Sequence, residues 1–500
     1  MTKIGTDPIF KKWGLSLLLL SAGAATVLGY SPFDVFPVAL AGFVLLVHCW
    51  IGARSPREGF LYGFWFGLGL FGAGVSWVYV SMHRFGAMPA ALAAFATLGF
   101  CAFLALFPAL VGALQARPRV PAGARAALLI PAAWTLLEWL RGWILTGFPW
   151  LTAGYAAIDS PLAGYAAIAG VHAVSFSVMA SAGLLWCVAT RHSRWLAAGS
   201  FVALGAAGAM LKEVAWSEPA GPALSVSLLQ GNIAQDLKFD PARYAHTLET
   251  YAQLAEQSRA RLIVLPETAL PRFLDLVEPA YLERLQSAAK RNAGDLLLGV
   301  PLRTGPGSYF NSVISLGVSP PQAYHKLHLV PFGEFVPPGF GWINRVLVFP
   351  LSDFSRGAAE QQPLAVAGER VAVNICYEDA FGAEIARQLP AATLLVNVSN
   401  VAWFGDSLAP RQHLQIARMR ALETGRMLLA ATNSGVTAAI GPDARVIAQL
   451  PQFVEGKLEL AARGYTGSTP YVRFGDWLAL GVCALSLAVA FVLARRARSG

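Results

Sequence analysis

The stretch from Val371 to Ala380 reads "VAVNICYEDA", and it decides the kind of domain that surrounds it. Its first five residues are mostly apolar and include two valines and an isoleucine, which is typical of a buried strand. The run ends in Cys376, an aromatic residue and two acids. Polar side chains at the end of a strand are typical of the sheet edge where α/β domains bind ligands. The stretch therefore predicts an α/β domain with a site around Cys376.

Similar apolar runs occur on both sides of this stretch and alternate with helical patterns. Strands are predicted at 224–233, 261–268, 295–303, 309–317, 370–378, 393–400, 428–441 and 445–451. Helices are predicted at 241–259, 278–292, 380–389 and 408–424, the first with Asp240 as its N-cap. The alternation of strands and helices predicts an α/β layered domain. Strands that are apolar throughout predict sheets covered on both faces.

The regions outside this domain are apolar and long enough to cross a membrane. The chain is 55% hydrophobic and 13% charged, with a mean hydropathy of +0.51. A transmembrane helix needs roughly 20 apolar residues. Eight candidate segments meet this need, at 13–30, 35–53, 59–82, 85–116, 126–158, 160–190, 195–211 and 477–494. We expect a membrane α-helical bundle of about eight helices, with helices one to seven in 1–213, an extramembrane domain at 214–473 and the eighth helix with a basic tail at 474–500.

The positive charges between these segments predict their orientation. With the N-terminus in the cytoplasm, the short outside loops hold only Arg84. The inside segments hold Lys3, Lys11, Lys12, Arg54, Arg57, Arg117, Arg119, Arg125, Arg191, Arg194, Arg495, Arg496 and Arg498. This asymmetry follows the positive-inside rule and places residues 214–473 outside the cytoplasmic membrane. The net charge of +9 is mostly charge that flanks the membrane, and no basic stripe indicates nucleic-acid binding.

Three residues at or just beyond strand ends form a chemically workable set for acyl transfer. Glu267 follows "IVLP", Lys326 lies in "YHKLHLVPFGEFVP", and Cys376 ends "VAVNI". A thiolate is a nucleophile, a carboxylate can move protons, and an ammonium can stabilise an oxyanion. Each residue also has a structural interpretation: a buried apolar cysteine, a helix-capping glutamate and a solvated lysine. Spacing alone leaves both interpretations open.

Several ordered motifs resemble one family. "LPETA" (265–269), "YHKLHLVPFGEFVP" (324–337), "NICYED" (374–379) and "VSNVAWFGDSLAPRQHLQIARMRALETGR" (398–426) resemble the Glu–Lys–Cys signature of the nitrilase superfamily. With "QGNIAQDLKFD" (230–240) and the apolar helices, the chain resembles the bacterial apolipoprotein N-acyltransferases, which are membrane-bound members of that superfamily. The resemblance spans nearly the whole chain and implies an αββα sandwich on the periplasmic side of the inner membrane.

The resemblance also implies an activity. It implies that Glu267 is the general base, Lys326 the oxyanion stabiliser and Cys376 the nucleophile, with accessory positions at Glu334, Tyr377 and Glu378. The implied reaction transfers an sn-1 acyl chain from a phospholipid to the α-amine of a diacylglyceryl-cysteine in an apolipoprotein, through a thioester. We expect no cofactor or metal and a monomeric protein. The chain departs from the family pattern at Phe239, Val401 and Ala430, where Trp, Asp and Arg are usual, so substrate packing near Phe239 is open.

Three further features have two interpretations each. The loop 335–354 is unusually apolar and is predicted to shield acyl chains with Trp342 and Phe349, or else to form a satellite core cluster. Glu138 and Arg141 form an i,i+3 pair within the fifth apolar segment, for function or for structure. His325 and His328 suggest a Cys–His peptidase, although loop histidines without zinc-site spacing are the favoured interpretation.

Two other functions compete with acyl transfer to an amine. The first is a membrane-tethered amidase or nitrile hydrolase that uses the same three residues with water as the acceptor. The second is a non-enzymatic transporter with an extracytoplasmic domain. Eight helices exceed what a tether needs, and helices with almost no charge offer little path for ions. The sequence therefore favours the acyltransferase.

Overall fold

A computed structural model of the protein describes residues 8–117, 120–305, 307–337, 339, 341 and 353–499. The chain divides into two units. The first comprises Met1–Tyr79, Pro89–Val214 and Phe474–Gly500, and the second comprises Val80–Met88 and Ala215–Arg473. The first unit is helical and the second contains all the strands of the described residues.

The first unit is built from apolar helices. Its longer helices are α1 (Pro8–Thr26), α2 (Phe36–Gly52), α3 (Pro56–Gly74), α5 (Ala90–Gln115), α7 (Ile130–Arg141), α9 (Ala166–Ala189), α10 (Arg194–Lys212) and α16 (Trp477–Ser499). Shorter helical elements are α4 (Val78–Val80), α6 (Ala122–Ala124) and α8 (Ala153–Ala156). Every one of the eight apolar segments predicted from the sequence therefore contains a helix.

Glycines let α3 and α5 approach each other closely. Gly59, Gly63 and Gly67 are spaced four residues apart on α3, so they lie along one side of that helix. A Cβ at Gly59 would lie 2.2 Å from the Gly112 carbonyl oxygen, and a Cβ at Gly63 would lie 2.2 Å from that of Pro108. Small residues at such contacts are how apolar helices associate without a hydrophobic driving force.

The structure does not bear out eight full-length spans. In the described residues, four helices are long and apolar enough to cross a membrane: Ala90–Gln115, Pro161–Ala189, Arg194–Lys212 and Trp477–Arg496. A fifth is added if Pro56–Gly74 and Val78–Phe85, bent by 55°, count as one span. Trp13–Gly29 and Phe36–Gly52 are shorter apolar helices. The fifth predicted segment, 126–158, is not one helix, because α7 has only 12 residues and ends at Arg141.

Polar side chains of α7 explain why that segment is interrupted. Arg141 donates from Nη1 to the backbone carbonyls of Phe148 at 2.7 Å and Trp150 at 2.6 Å. The Glu138 carboxylate accepts a hydrogen bond from the backbone N–H of Ala153 at 2.8 Å. Both side chains are buried, and each satisfies backbone groups of the loop that follows α7. The contacts of Glu138 and Arg141 therefore agree with the structural interpretation of this pair.

The second unit contains two six-stranded sheets. The first has the order β12-β1-β2-β3-β4-β5 and the second has the order β11-β10-β9-β8-β7-β6. The strands are β1 (Ser217–Gln230), β2 (Leu262–Val264), β3 (Asp295–Gly305), β4 (Ser308–Gly317), β5 (Ala323–His325), β6 (Leu364–Val366), β7 (Glu369–Ile375), β8 (Leu394–Ser399), β9 (Leu428–Thr432), β10 (Ala438–Ile440), β11 (Val446–Gln449) and β12 (Gly456–Gly467). Strands β1–β2–β3 and β7–β8–β9 run parallel.

Apolar residues fill the space between the two sheets and the space outside each of them. Leu228, Val264, Val373, Val396 and Leu429 belong to one cluster that both sheets share. Helices α11 (Tyr244–Glu256) and α12 (Pro279–Arg291) cover the first sheet, and α13 (Gly382–Ile385) and α14 (Ala409–Thr424) cover the second. The unit is thus an αββα sandwich, and the prediction of sheets covered on both faces is confirmed.

Several element boundaries differ from the prediction. Helix α11 begins at Tyr244, and the Asp240 carboxylate accepts from the N–H of Ala242 in the preceding turn instead of capping the helix. The run predicted as one strand at 428–441 is two strands, β9 and β10, which pair antiparallel. Strands β5, β6 and β12 were not predicted. Strand β12 is mostly exposed or half-buried, so it lacks the continuous apolar run by which the predicted strands were identified.

Candidate active site

The three predicted residues all follow strands of the two sheets. Glu267 lies three residues beyond β2, Lys326 directly follows β5, and Cys376 directly follows β7. Strand β8 runs parallel to β7, and Asn400 directly follows its last residue. The site is built where strand ends of the two sheets come together: Glu267 and Lys326 follow strands of the first sheet, and Cys376 and Asn400 follow strands of the second.

A buried cluster of charges joins Glu267 and Lys326. The Lys326 ammonium lies 3.0 Å from a carboxylate oxygen of Glu267 and 3.0 Å from one of Glu334. Asn311 donates from its amide to both carboxylates, at 2.7 Å and 2.8 Å. The second Glu267 oxygen accepts from the backbone N–H of Asn400 at 2.9 Å. These contacts fix the Glu267 carboxylate through both of its oxygens.

The charges of this cluster stabilise one another's ionised forms. Burial by itself would lower the pKa of Lys326, but the carboxylates of Glu267 and Glu334 outweigh it and raise that pKa. Burial would raise the pKa of Glu267, but the Lys326 ammonium outweighs it and lowers that pKa. Opposite charges within hydrogen-bonding distance act in this direction. Lys326 is therefore protonated and the Glu267 carboxylate is ionised.

Cys376 has a constrained backbone and a protonated side chain. Its φ of 53° lies in the left-handed region, which a residue with a side chain seldom adopts. Its backbone carbonyl accepts from the Asn397 amide at 3.2 Å and lies 3.2 Å from Nε2 of His413. Burial, and then the charge of Glu267, raises the pKa of the Cys376 thiol well above its usual value. The thiol is therefore protonated at neutral pH.

Glu378 organises the backbone on either side of Cys376. Its carboxylate accepts hydrogen bonds from the N–H groups of Leu327 at 2.6 Å, His328 at 3.0 Å and Ile375 at 2.7 Å. It also accepts from the Tyr324 hydroxyl at 3.1 Å. Burial raises the pKa of Glu378 to about 7. Glu378 thus connects the segment that carries Lys326 to the strand that ends at Cys376.

The remaining predicted residues lie in different settings. Tyr377 is buried, with its ring 5.1 Å from that of Phe381 between ring centroids. Phe239 is half-buried in the segment after β1. Trp342 and Phe349, predicted to shield acyl chains, lie outside the described residues, as does most of the loop 335–354.

The two loop histidines contact groups other than the cysteine. Nδ1 of His328 lies 3.1 Å from the Glu384 carboxylate, and its ring stacks on Phe381 with centroids 3.5 Å apart. Nδ1 of His325 lies 2.8 Å from the Ser312 hydroxyl. These contacts agree with the structural interpretation of both histidines. His413, on α14, is the histidine that the structure places against Cys376.

Sequence reasoning missed Asn311, Asn400 and Lys238. Asn311 is a polar residue in the middle of a strand, and it is buried to 3% exposure, which is the signal that could have found it. Asn400 acts through its backbone N–H, which no side-chain pattern reveals. Lys238 lies in the quoted motif "QGNIAQDLKFD" and is buried, with its ammonium 3.3 Å from the backbone carbonyl of Glu267.

The arrangement suits covalent acyl transfer. It combines a thiol, a fixed carboxylate that can take the thiol proton, and a cation that can face an oxyanion. No group of three or more His, Cys, Asp or Glu side chains that could hold a metal ion occurs among the residues that the structure describes.

Comparison with known proteins gives consistent matches over both units. Residues 22–184 match the family model described as "Apolipoprotein N-acyltransferase N-terminal domain". Residues 225–470 match the one described as "Carbon-nitrogen hydrolase". A Nitrosomonas europaea protein named "Apolipoprotein N-acyltransferase" is 50% identical over 472 residues, covering 93% of this chain and 94% of the relative. A Chromobacterium violaceum protein of the same name is 44% identical over 496 residues, covering 97% and 95% of the two chains.

Proposed function

Because the chain belongs to the apolipoprotein N-acyltransferase family, we propose that it moves an acyl chain from a phospholipid to a lipoprotein amine through a thioester on Cys376. The chain is an N-acyltransferase of lipoprotein maturation with a carbon-nitrogen hydrolase domain. The donor position is the sn-1 ester, and the acceptor is the α-amine of a diacylglyceryl-cysteine. The observation that carries the thioester proposal is the fixed Glu267–Lys326 pair at the edge where the strand bearing Cys376 ends.

In the first half-reaction Cys376 attacks the donor ester. The Cys376 S–H bond breaks, its proton passes to the Glu267 carboxylate, and Sγ bonds to the ester carbonyl carbon. The Lys326 ammonium faces the oxyanion of the tetrahedral intermediate, which a fixed cation stabilises strongly in a buried site. The bond to the glycerol oxygen then breaks, and Glu267 returns the proton to that oxygen. A lysophospholipid leaves, and a thioester remains on Cys376.

In the second half-reaction the lipoprotein amine replaces the thiol. The α-amine attacks the thioester carbonyl and gives a proton to Glu267, while Lys326 again faces the oxyanion. The carbon–sulfur bond breaks, the proton passes to the Cys376 sulfur, and the amide is complete. Both proton transfers use the same carboxylate, which explains why its two oxygens are held by Lys326, Asn311 and Asn400.

The membrane arrangement is part of the same proposal. Several apolar helices of the described residues are long enough to cross a membrane. We propose eight membrane segments, residues 214–473 as the periplasmic catalytic domain, and 474–500 as the last segment with a cytoplasmic tail. One observation supports the side: Val80–Met88, which contains the predicted outside loop with Arg84, belongs to the same unit as Ala215–Arg473. Within that unit the Phe85 and Trp403 rings lie 6.2 Å apart between centroids.

The experiment supplies the purified full chain with a phospholipid labelled in its sn-1 chain and a diacylglyceryl lipopeptide. The proposal expects the label in an amide on the lipopeptide, and release of lysophospholipid. A matched phospholipid labelled at sn-2 controls for the donor position and should leave its label in the lysophospholipid. Release of free fatty acid without amide would identify an amidase-like hydrolase, and the absence of both products would point to a non-enzymatic protein.

A further inference from the structure

Lys238 is a buried cation beside the site that the mechanism above does not use. It lies in the segment between β1 and α11, and its side chain is 2% exposed. Its ammonium donates to the backbone carbonyl of Glu267 at 3.3 Å. In the part of the chain that the structure describes, no carboxylate forms an ion pair with it. A buried ammonium with so little compensation is costly, which indicates that its charge has a use.

The charges around Cys376 disfavour its thiolate unless another cation is present. Lys326 lies between the carboxylates of Glu267 and Glu334, so these three groups carry one positive and two negative charges. Glu267, Glu334 and Asp379 all act on the Cys376 thiol in the direction that opposes ionisation. The Lys238 ammonium adds a second positive charge. The two lysines then balance the negative charges of Glu267 and Glu334.

Lys238 and Cys376 both adjoin Glu267: the Lys238 ammonium donates to the Glu267 backbone carbonyl at 3.3 Å, and the Glu267 carboxylate acts on the Cys376 thiol. Burial lowers the pKa of Lys238 to about 8, while the charges of Glu267 and of a Cys376 thiolate act to raise it. Such coupling is reciprocal: if the thiolate favours the ammonium, then the ammonium favours the thiolate by the same free energy. The lysine is therefore placed to lower the free energy of the thiolate state.

We propose that Lys238 is a positioning residue whose ammonium stabilises the thiolate that forms as Cys376 attacks. The S–H bond of Cys376 breaks, its proton passes to Glu267, and the electron pair stays on Sγ within range of the Lys238 charge. This role rests on the proposed function, because it assumes that Cys376 is the nucleophile. It adds a cation to the Glu–Lys–Cys set, on the side of Glu267 that faces the segment after β1.

The segment around Lys238 is also held by other hydrogen bonds. Replacing the lysine should therefore remove its charge without displacing the segment. Ile233 exchanges hydrogen bonds with the Asn433 side chain, accepting at 2.7 Å through its carbonyl and donating at 3.0 Å through its N–H. The Gln235 side chain accepts from the Asn400 amide at 2.8 Å. These contacts anchor the segment through residues other than Lys238.

The test is the rate at which iodoacetamide alkylates Cys376 in the full chain, followed by peptide mass spectrometry as a function of pH. Lys238→Gln keeps a hydrogen-bond donor and removes the charge. Removing a nearby opposite charge raises a thiol pKa by about 1 to 3. At pH 7 we therefore expect alkylation to slow by about 10-fold to 10³-fold. Lys290→Gln, at an exposed lysine on α12, is the matched control and should leave the rate unchanged.

The pH dependence of the alkylation rate distinguishes an effect of the Lys238 charge from a structural effect of the substitution. The pKa of Lys238 is about 8, and the Cys376 thiolate raises it further, so the ratio of the wild-type rate to the Lys238→Gln rate should be constant below pH 8 and fall progressively above it. The other titratable groups near the thiol, Glu267, Lys326, Glu334, Glu378, Asp379 and His413, are the same in both proteins, so their own titration cancels in the ratio of the two rates. Equal rates below pH 8, or a slowing of the same factor at every pH, would overturn the proposal.

A second variant and a separate acyl-transfer assay complete the test. If Lys238→Gln does not fold, Lys238→Arg tests the charge, and a folded arginine variant that alkylates slowly at pH 7 overturns the proposal. Acyl transfer by the wild type is measured separately with the labelled phospholipid. Failure of that transfer contradicts the proposed function, whereas normal transfer with no effect of Lys238→Gln on alkylation contradicts only the role of Lys238.

Discussion

At the scale of single residues, the site depends on groups that hold one another in place. Asn311 shows this most clearly, because one amide donates to the carboxylates of both Glu267 and Glu334. Without it, the carboxylates of Glu267 and Glu334 would share a single lysine. The sequence could predict Glu267, Lys326 and Cys376 as a set through family resemblance. It could not predict Asn311 or the Asn400 N–H, since their roles come from where the strands place them.

We predict that Asn311→Ala slows acyl transfer while the protein remains folded. The loss of a hydrogen bond to a buried carboxylate costs about 1–3 kcal/mol, or about 5-fold to 160-fold in rate if the cost falls on the transition state. Steady-state transfer from phospholipid to lipopeptide is the measurement. Asn292→Ala is the control, because Asn292 donates to the Ser258 carbonyl away from the site. Equal rates for both variants would show that Asn311 does not position Glu267.

Glu378 gives a pH-dependent prediction for stability. Its pKa is raised by burial from 4.5 to about 7, so the folded state binds this proton more tightly than the unfolded state. Its contribution to stability is therefore complete below pH 4.5, falls as the pH rises to about 7 and is constant above that. The difference in melting temperature between the wild type and Glu378→Gln should therefore change between pH 4.5 and about 7 and be constant on either side of that range. A parallel pH dependence in both would contradict the assignment.

At the scale of elements, strand ends and helix contacts were predictable to different degrees. Buried strands such as β7 and β8 were evident because both of their faces are apolar. Strand β12 was not, because it has mainly exposed or half-buried side chains and is held by its antiparallel pairing with β1. The break after α7 was also missed, since hydropathy does not show that Arg141 binds the backbone carbonyls of the following loop.

The contact between α3 and α5 gives a prediction at this scale. Gly63→Leu should lower the melting temperature of the full chain in detergent, because its Cβ would overlap the Pro108 carbonyl and force the helices apart. Overpacking of this kind costs about 1–3 kcal/mol. Gly72→Leu on the same helix is the control, as a Cβ there meets no atom within 4 Å. A similar melting temperature for both variants would mean that the close approach is not needed.

At the scale of the whole molecule, the orientation in the membrane can be tested by labelling. Lys290 is exposed in the domain proposed to be periplasmic, and Arg117 is exposed in a segment proposed to be cytoplasmic. In a Cys376→Ser background, which removes the reactive native thiol, a membrane-impermeant maleimide should label Lys290→Cys in intact spheroplasts. With Arg117→Cys in the same background, labelling should require lysis. The reverse pattern would invert the proposed topology, which rests on the positive-inside rule.

The central claim is that Cys376 carries the acyl group between two substrates. The most direct measurement is the intact mass of the purified full chain after incubation with phospholipid alone, followed by peptide mapping. The account predicts one acyl chain on Cys376, lost on addition of a diacylglyceryl lipopeptide as the amide appears, and no adduct in Cys376→Ser. Transfer to the lipopeptide at the wild-type rate by Cys376→Ser, or an acyl adduct on another residue that is chased to the amide, would contradict it.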